Sequence, residues 1–158
     1  MGTVASLHVH DDVDGEVLVT AARAVAAELD RLEALFSTFR ADSEVSRVNR
    51  GELHLLDCSS EVVDVLDACT WLEHASGGAF TAHRPDRAGA IDPAGFVKGW
   101  ATERASRLLG DAGLVDWYLS VGGDLQAHGR PAGAERWVFG VADPLHPGEV
   151  VATLAVED

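Results

Sequence analysis

The chain has 158 residues, 26 acidic against 12 basic side chains, a formal charge of −14 and 47% hydrophobic residues. That length and apolar content suit one domain, residues 1–158, with a core of its own. The acidic balance argues against a nucleic-acid or anionic-membrane surface, so any anion must be held by a local device: a helix N-terminus, a lysine or a metal ion.

Thr3 to His10 alternates like a strand, with Val4, Ser6, His8 and His10 on one face and Ala5, Leu7 and Val9 on the other. Asp11 to Gly15 is turn chemistry. From Glu16 to Phe36 the apolar residues Val25, Leu29, Leu32 and Phe36 recur at helical spacing and predict an amphipathic helix with one buried stripe. Ser37 to Gly51 is polar and turn-rich, and Leu53 to Leu56 reads as a short strand. Ser59 or Ser60 caps a second helix with Val62, Val63, Leu66, Cys69 and Leu72 inward, ended by Gly77-Gly78. A loop of small, charged and turn-forming residues fills Phe80 to Pro93. A third helix starts near Gly95 to Lys98 and runs to Leu109. Strand patterns follow at Trp117 to Val121, Trp137 to Ala142 and Val150 to Val156. Helices first and strands late predict an α+β fold, a mixed or antiparallel sheet with packed helices.

Cys58 and Cys69 are too few for a disulfide scaffold, and helical rise would set them roughly 15 Å apart, beyond a disulfide's reach. Two reduced thiols are expected. No apolar run approaches the ~20 residues that span a bilayer, and no signal peptide or lipobox opens the sequence, so a cytoplasmic location is expected.

Lys98 is the only lysine; every other cation of the side chains is arginine. It lies in Asp92-Pro-Ala-Gly95-Phe-Val-Lys98-Gly99, which places a carboxylate, a bare backbone and an ammonium within one turn of a helix start. Glycine lets a ligand approach the backbone, and the helix N-terminus and the ammonium both favour a phosphate. A solvated helix face carrying one surviving lysine accounts for the pattern equally well. Ser120-Val-Gly122-Gly123-Asp124 sits inside a strand pattern, where paired glycines mark a bulge or a close backbone approach. Phe39 would offer a flat face to a ring, although an isolated Phe is more often part of the core. The seven histidines are scattered without metal-site spacing.

Taken in order, six segments resemble the ApbE family, the FAD:protein FMN transferases. They are Met1-Gly2-Thr3; the run from Leu35 to Asn49, Leu-Phe-Ser-Thr-Phe-Arg-Ala-Asp-Ser-Glu-Val-Ser-Arg-Val-Asn; Gly78-Ala-Phe80-Thr; Asp92 to Ala105; Val121-Gly-Gly-Asp124; and Trp137 to Pro144. The resemblance implies an ApbE-like, T-fold-like domain that binds FAD. With Mg²⁺ such a protein cleaves the pyrophosphate and attaches FMN through a phosphoester to a Thr or Ser of a target flavoprotein. It further implies that Met1, Phe39, Ala79, Phe80, Thr81, Asp92 and Lys98 contact FAD, and that Gly95 offers its carbonyl to the metal. The family's flavin-stacking Tyr is Phe39 here, the usual Asp after Phe80 is Thr81, and the usual Asp past the lysine is Glu103. By the same resemblance the last third of the family domain, with its catalytic His and its metal-binding Asp and Thr, lies beyond Asp158. Without these the chain is expected to be inactive alone, and no catalytic residue is assigned. The other readings are a non-catalytic flavin- or nucleotide-binding module and a structural remnant, with self-association through an exposed sheet edge.

Overall fold

The computed structural model describes residues 3–156. Strand β1 (Ala5–Val9) is followed by helix α1 (Gly15–Phe36), a short helix α2 (Glu44–Asn49), one 3₁₀ turn (Leu55–Asp57), and helices α3 (Ser60–Ala75) and α4 (Ala94–Asp111). Strands β2 (Trp117–Val121), β3 (Asp124–His128), β4 (Trp137–Ala142) and β5 (Val150–Val156) complete the order. The class is α+β as predicted, and every strand pair is antiparallel: β1-β2-β3 form one sheet and β4-β5 a separate hairpin.

Alternation in β2 builds the layers. Trp117, Leu119 and Val121 point inward and are buried against Ala21 and Val25 of α1 and Ala105 and Leu109 of α4. On the opposite face Tyr118 stacks on His8 at 4.3 Å and meets Trp137 and Phe139 edge-on at 5.3 and 5.2 Å. That aromatic contact fastens the β4–β5 hairpin to the back of the sheet. A second core lies among the helices: Leu32 and Phe36 of α1, Val45 of α2, Val62, Val65 and Cys69 of α3, and Val97 and Ala101 of α4. The long helices α1 and α4 therefore serve both cores, and α4 enters between them with its N-terminus at the molecular surface.

Ion pairs tie three helices together. Glu28 and Arg31 on α1, Glu61 on α3 and Arg104 on α4 form one network with N–O distances of 2.7–2.8 Å. Arg104 also lies over the Trp100 ring. Burial of Cys69 pushes its thiol up to about 11, so it behaves as a core apolar group; Cys58 is likewise free. Among the described residues no helix is long and apolar enough to cross a membrane.

Three expectations from the sequence change. The Ser37–Gly51 stretch contains α2, which Ser43 caps by accepting from the Ser46 N–H at 3.0 Å. Leu53 to Leu56 is not a strand, because His54 Nδ1 accepts from the Leu56 N–H and closes a 3₁₀ turn. Gly122 and Gly123 do not bulge a single strand. They are the two-residue turn of the β2–β3 hairpin, with φ of 56° and 95°, the positive pair that a type I′ turn demands. A Cβ on Gly122 would stand 2.5 Å from Thr3 Oγ1, so the close approach is real as well.

Candidate functional site

Two clefts flank the N-terminus of α4 and meet at Ala94. The first, of about 120 Å³, is walled by Phe36, Ser37, Phe39, Val97 and Lys98 and is largely apolar. The second, of about 390 Å³, is open and mixed in character, with Thr81, Arg84, Asp86, Asp92 and Gly95 on its walls. The structure thus brings Phe39 and Lys98 together on one side of the helix start and Thr81, Asp92 and Gly95 on the other.

Phe39 is 98% exposed, so the core reading of this residue is wrong. A dense set of serine hydrogen bonds holds it outward. Ser37 Oγ accepts from the N–H groups of Phe39 and Arg40, both at 3.2 Å, and Ser37 O accepts from the hydroxyls of Ser43 and Ser46. The run Phe-Ser-Thr-Phe-Arg-Ala-Asp-Ser therefore folds as a braced loop whose tip is an aromatic ring in water, beside the apolar wall of the first cleft. Exposure of so large an apolar group on a rigid support suits a flat ring as its partner.

Lys98 projects from the first turns of α4 towards the β2–β3 turn. Its ammonium donates to Gly122 O at 3.2 Å and pairs with Asp124 Oδ1 at 3.3 Å. An ammonium has three donors, so these two contacts aim it and leave a third for a ligand. Asp124 belongs to a segment that the sequence had singled out, without a role for its side chain. Its position next to two turn glycines was the signal, and only the fold reveals that the hairpin tip reaches Lys98.

Asp92 precedes α4, and its Oδ1 accepts from the Ala94 N–H at 3.1 Å, a helix cap in all but position. Its backbone is fixed from both directions: its N–H donates to Ala82 O at 2.7 Å. Asn49 pairs with the preceding Ile91, donating from Nδ2 to Ile91 O and accepting at Oδ1 from the Ile91 N–H, both at 2.8 Å. Asn49 went unassigned in the sequence because its partner is 42 residues away. Gly95 lies over the Phe80 ring, and a Cβ there would sit 3.3 Å from Phe80 Cε2. Phe80 is accordingly a half-buried support under the helix start, joined to the helical core, rather than an open wall. Thr81 is exposed and its Oγ1 accepts from the His83 N–H; Ala79 is exposed beside it. Met1 lies outside the described residues.

For a divalent cation the fit is poor. Asp92 already has one oxygen on a backbone N–H, and the Gly95 carbonyl belongs to the first turn of α4. Mg²⁺ asks for six oxygens in near-octahedral order, and these two groups do not provide it. The one His/Asp/Glu trio among the described residues with metal-ligand spacing, Asp143, His146 and Glu149, lies on the β4–β5 connection and not in either cleft. There Asp143 is explained by the turn: His146 and the N–H groups of Leu145 and His146 bond its carboxylate and hold its pKa below the usual value.

Comparison with solved structures places this arrangement among known folds. A His-to-Gly variant of the flavin transferase ApbE from Vibrio cholerae superimposes with a TM-score of 0.77 at 16% identity, over 99% of this chain and 67% of that one. Another structure of the Vibrio cholerae flavin transferase gives 0.75 at 18% identity, over 91% of this chain and 62% of that one. The apo flavinyl transferase ApbE from Pseudomonas stutzeri gives 0.72 at 18% identity, over 98% and 65%. The chain thus spans about two-thirds of the length of these proteins, and the likeness is one of fold. No curated protein matches significantly. The ApbE family profile matches residues 1–83 and 81–158, which together take in the whole sequence, and the chain therefore belongs to the ApbE family.

Proposed function

We propose that this chain carries the FAD-binding side of a flavin transferase, one that takes FMN from FAD and attaches it through a phosphoester to a Thr or Ser of a target flavoprotein. The observation that carries the reading is Phe39, a nearly fully exposed ring held rigidly at the rim of an apolar cleft that also receives the only lysine. In this reading the isoalloxazine stacks on Phe39, and the diphosphate meets the Lys98 ammonium and the N-terminal turn of α4. Asp124 and the Gly122 carbonyl keep the ammonium aimed at that position, and Asn49 and Phe80 keep the helix start in place beneath it.

Mg²⁺ belongs to the proposal as the ion that would neutralise the diphosphate and polarise the phosphorus under attack. The resemblance offers it only the Gly95 carbonyl, and even with the neighbouring Asp92 carboxylate the ligands are too few for its six-oxygen shell. The chain alone is therefore expected to bind FAD without turning it over. Self-association through the open edges of the β4–β5 hairpin is part of the same proposal, and a monomer in sedimentation at high concentration would remove it.

The test is a titration of FAD into the purified chain with and without Mg²⁺, following flavin fluorescence and assaying AMP in the same samples. Saturable quenching without AMP is the expected result. Magnesium-dependent AMP release would overturn the claim of inactivity, and absence of binding would overturn the assignment of the pocket to this chain.

A further inference from the structure

A third cavity, of about 160 Å³, borders both clefts: Thr38 lines it and the first cleft, and Arg84 lines it and the second. Ser46, Asn49, Arg50 and Arg87 make up most of the rest of its wall. Three arginines lining one cavity stand out in a chain of charge −14.

Their fastening is specific. Arg84 and Arg87 sit on one closed loop, in which the Arg84 N–H donates to Ala90 O and the Ala90 N–H to Arg87 O at 2.9 and 3.0 Å. Arg50 ends α2, and Asn49 beside it bonds Ile91 just past the arginine loop, so the two arms are cross-linked at the cavity itself. The acids nearby cover only part of this charge. Glu52 takes the Nε and Nη2 edge of Arg50 at 2.7 and 2.6 Å. Asp86 takes the same edge of Arg84 at 2.9 and 2.6 Å. A guanidinium presents five N–H donors in a planar fork, and the Nη1 groups of both arginines have no partner among the described residues. Arg87 makes one bond, from Nη2 to Asn49 O at 2.9 Å, and has no carboxylate partner there. Glu52 and Asp86 are themselves 52% and 62% exposed, and pairs of that kind are weak competitors for a doubly charged ligand.

We infer that this cavity binds a phosphoryl dianion, either inorganic phosphate or the phosphate of a nucleoside monophosphate. Its volume suits one phosphoryl group, so the sugar and base of a nucleotide would project from it. The inference stands apart from the flavin reading, because the ligand is titrated with no flavin present: phosphate binding without FAD binding would keep this site and remove the other.

The experiment is calorimetric titration of the full chain at low ionic strength, in a zwitterionic buffer, with inorganic phosphate, AMP and adenosine. Saturable binding of phosphate is expected, weakened about tenfold or more in Arg87→Ala and less in Arg87→Lys, which keeps the charge and loses the fork. Arg23→Ala, an exposed position on α1 outside the cavity, should bind as the wild type does. AMP binding more tightly than phosphate, with adenosine silent, would identify the nucleotide as the source; equal affinities would identify the free ion. Heats that never saturate for either anion would overturn the inference. So would equal weakening by Arg23→Ala and Arg87→Ala, or unchanged affinity in both Arg87 variants.

Discussion

Arg31 and Arg104 share Glu28 and Glu61 so completely that all four carboxylate oxygens receive at least one guanidinium N–H, at 2.7–2.9 Å. Arg50, Arg84 and Arg87 sit in the same acidic chain less fully bonded: Arg84 gives one edge to Asp86, Arg50 adds a bond to Ala41 O beside its edge to Glu52, and Arg87 makes one bond, to Asn49 O. The first cluster joins three helices and is closed; the second joins the end of α2 to the loop before α4 and is open. Arginine stabilises when carboxylates fill its fork from both sides, and becomes a receptor when the backbone fixes it with part of the fork unfilled. The difference lies in where the acids come from. Glu61 on α3 reaches both arginines from a separate helix, and Glu28 bonds Arg31 one turn away on α1 while also reaching Arg104 on α4, whereas Glu52 and Asp86 are the arginines' own neighbours two residues along and can cover only one edge.

The largest expected effect falls on the frame of the open cluster. Asn49→Ala leaves the Ile91 N–H and carbonyl without their side-chain partner at a part-buried position, which should cost about 2 kcal/mol in urea denaturation. Phosphate affinity should fall with it, since Asn49 links the two arms. Retained stability in Asn49→Ala would mean that the arms are held otherwise and would weaken the case for a rigid receptor. Next comes the closed cluster: Arg31→Ala should cost about 1–2 kcal/mol, discounted for its partial exposure, against a change within about 0.5 for Arg87→Ala. Equal losses in the two would erase the distinction between the closed and the open cluster.

Acid sharpens the same contrast. The Arg31 hydrogen bonds, opposed by desolvation and aided by Arg104, hold the Glu28 carboxyl at about 2 against a usual 4.5. Its folded value lies below its unfolded one, so this contribution is complete above pH 4.5 and is lost as pH falls towards 2. Glu61 is lowered by the same guanidinium first and titrates in the same direction. Stability measured against pH should therefore decline through that window, and Glu28→Gln should flatten the decline. An identical acid slope in wild type and Glu28→Gln would show that the network contributes nothing across it.

How much of this could be read beforehand varies by element. Helices α1, α3 and α4 were legible because an apolar residue every third or fourth position has one structural solution, and Lys98 was legible because it is unique. Of the β2–β3 hairpin only Trp117 to Val121 was read as a strand, with Gly122-Gly123 as a bulge or close approach, since only positive φ at both glycines turns the chain back into β3. Asn49, Asp124 and the arginine cavity were out of reach for another reason. Their partners are Ile91, Lys98 and each other, at separations that no local pattern records, and their chemistry exists only once helix α4 and the loop before it are placed.

Phe39 sets the smallest stability effect against the most direct functional one. Its ring is 98% exposed and touches little, so Phe39→Ala should leave the denaturation midpoint within about 0.5 kcal/mol of wild type. If the ring is the platform for the isoalloxazine, the same substitution should weaken FAD binding by about tenfold, the worth of one offset aromatic stack. Phe39→Tyr, which keeps the plane and adds only a hydroxyl, should bind as the wild type does. The serine bonds that hold the loop use the backbone N–H of residue 39, not its side chain, so both variants retain the support and differ only in the ring. Unchanged FAD affinity in Phe39→Ala would therefore remove the platform itself and leave flavin binding to rest on Lys98, the start of α4 and the residues of the second cleft.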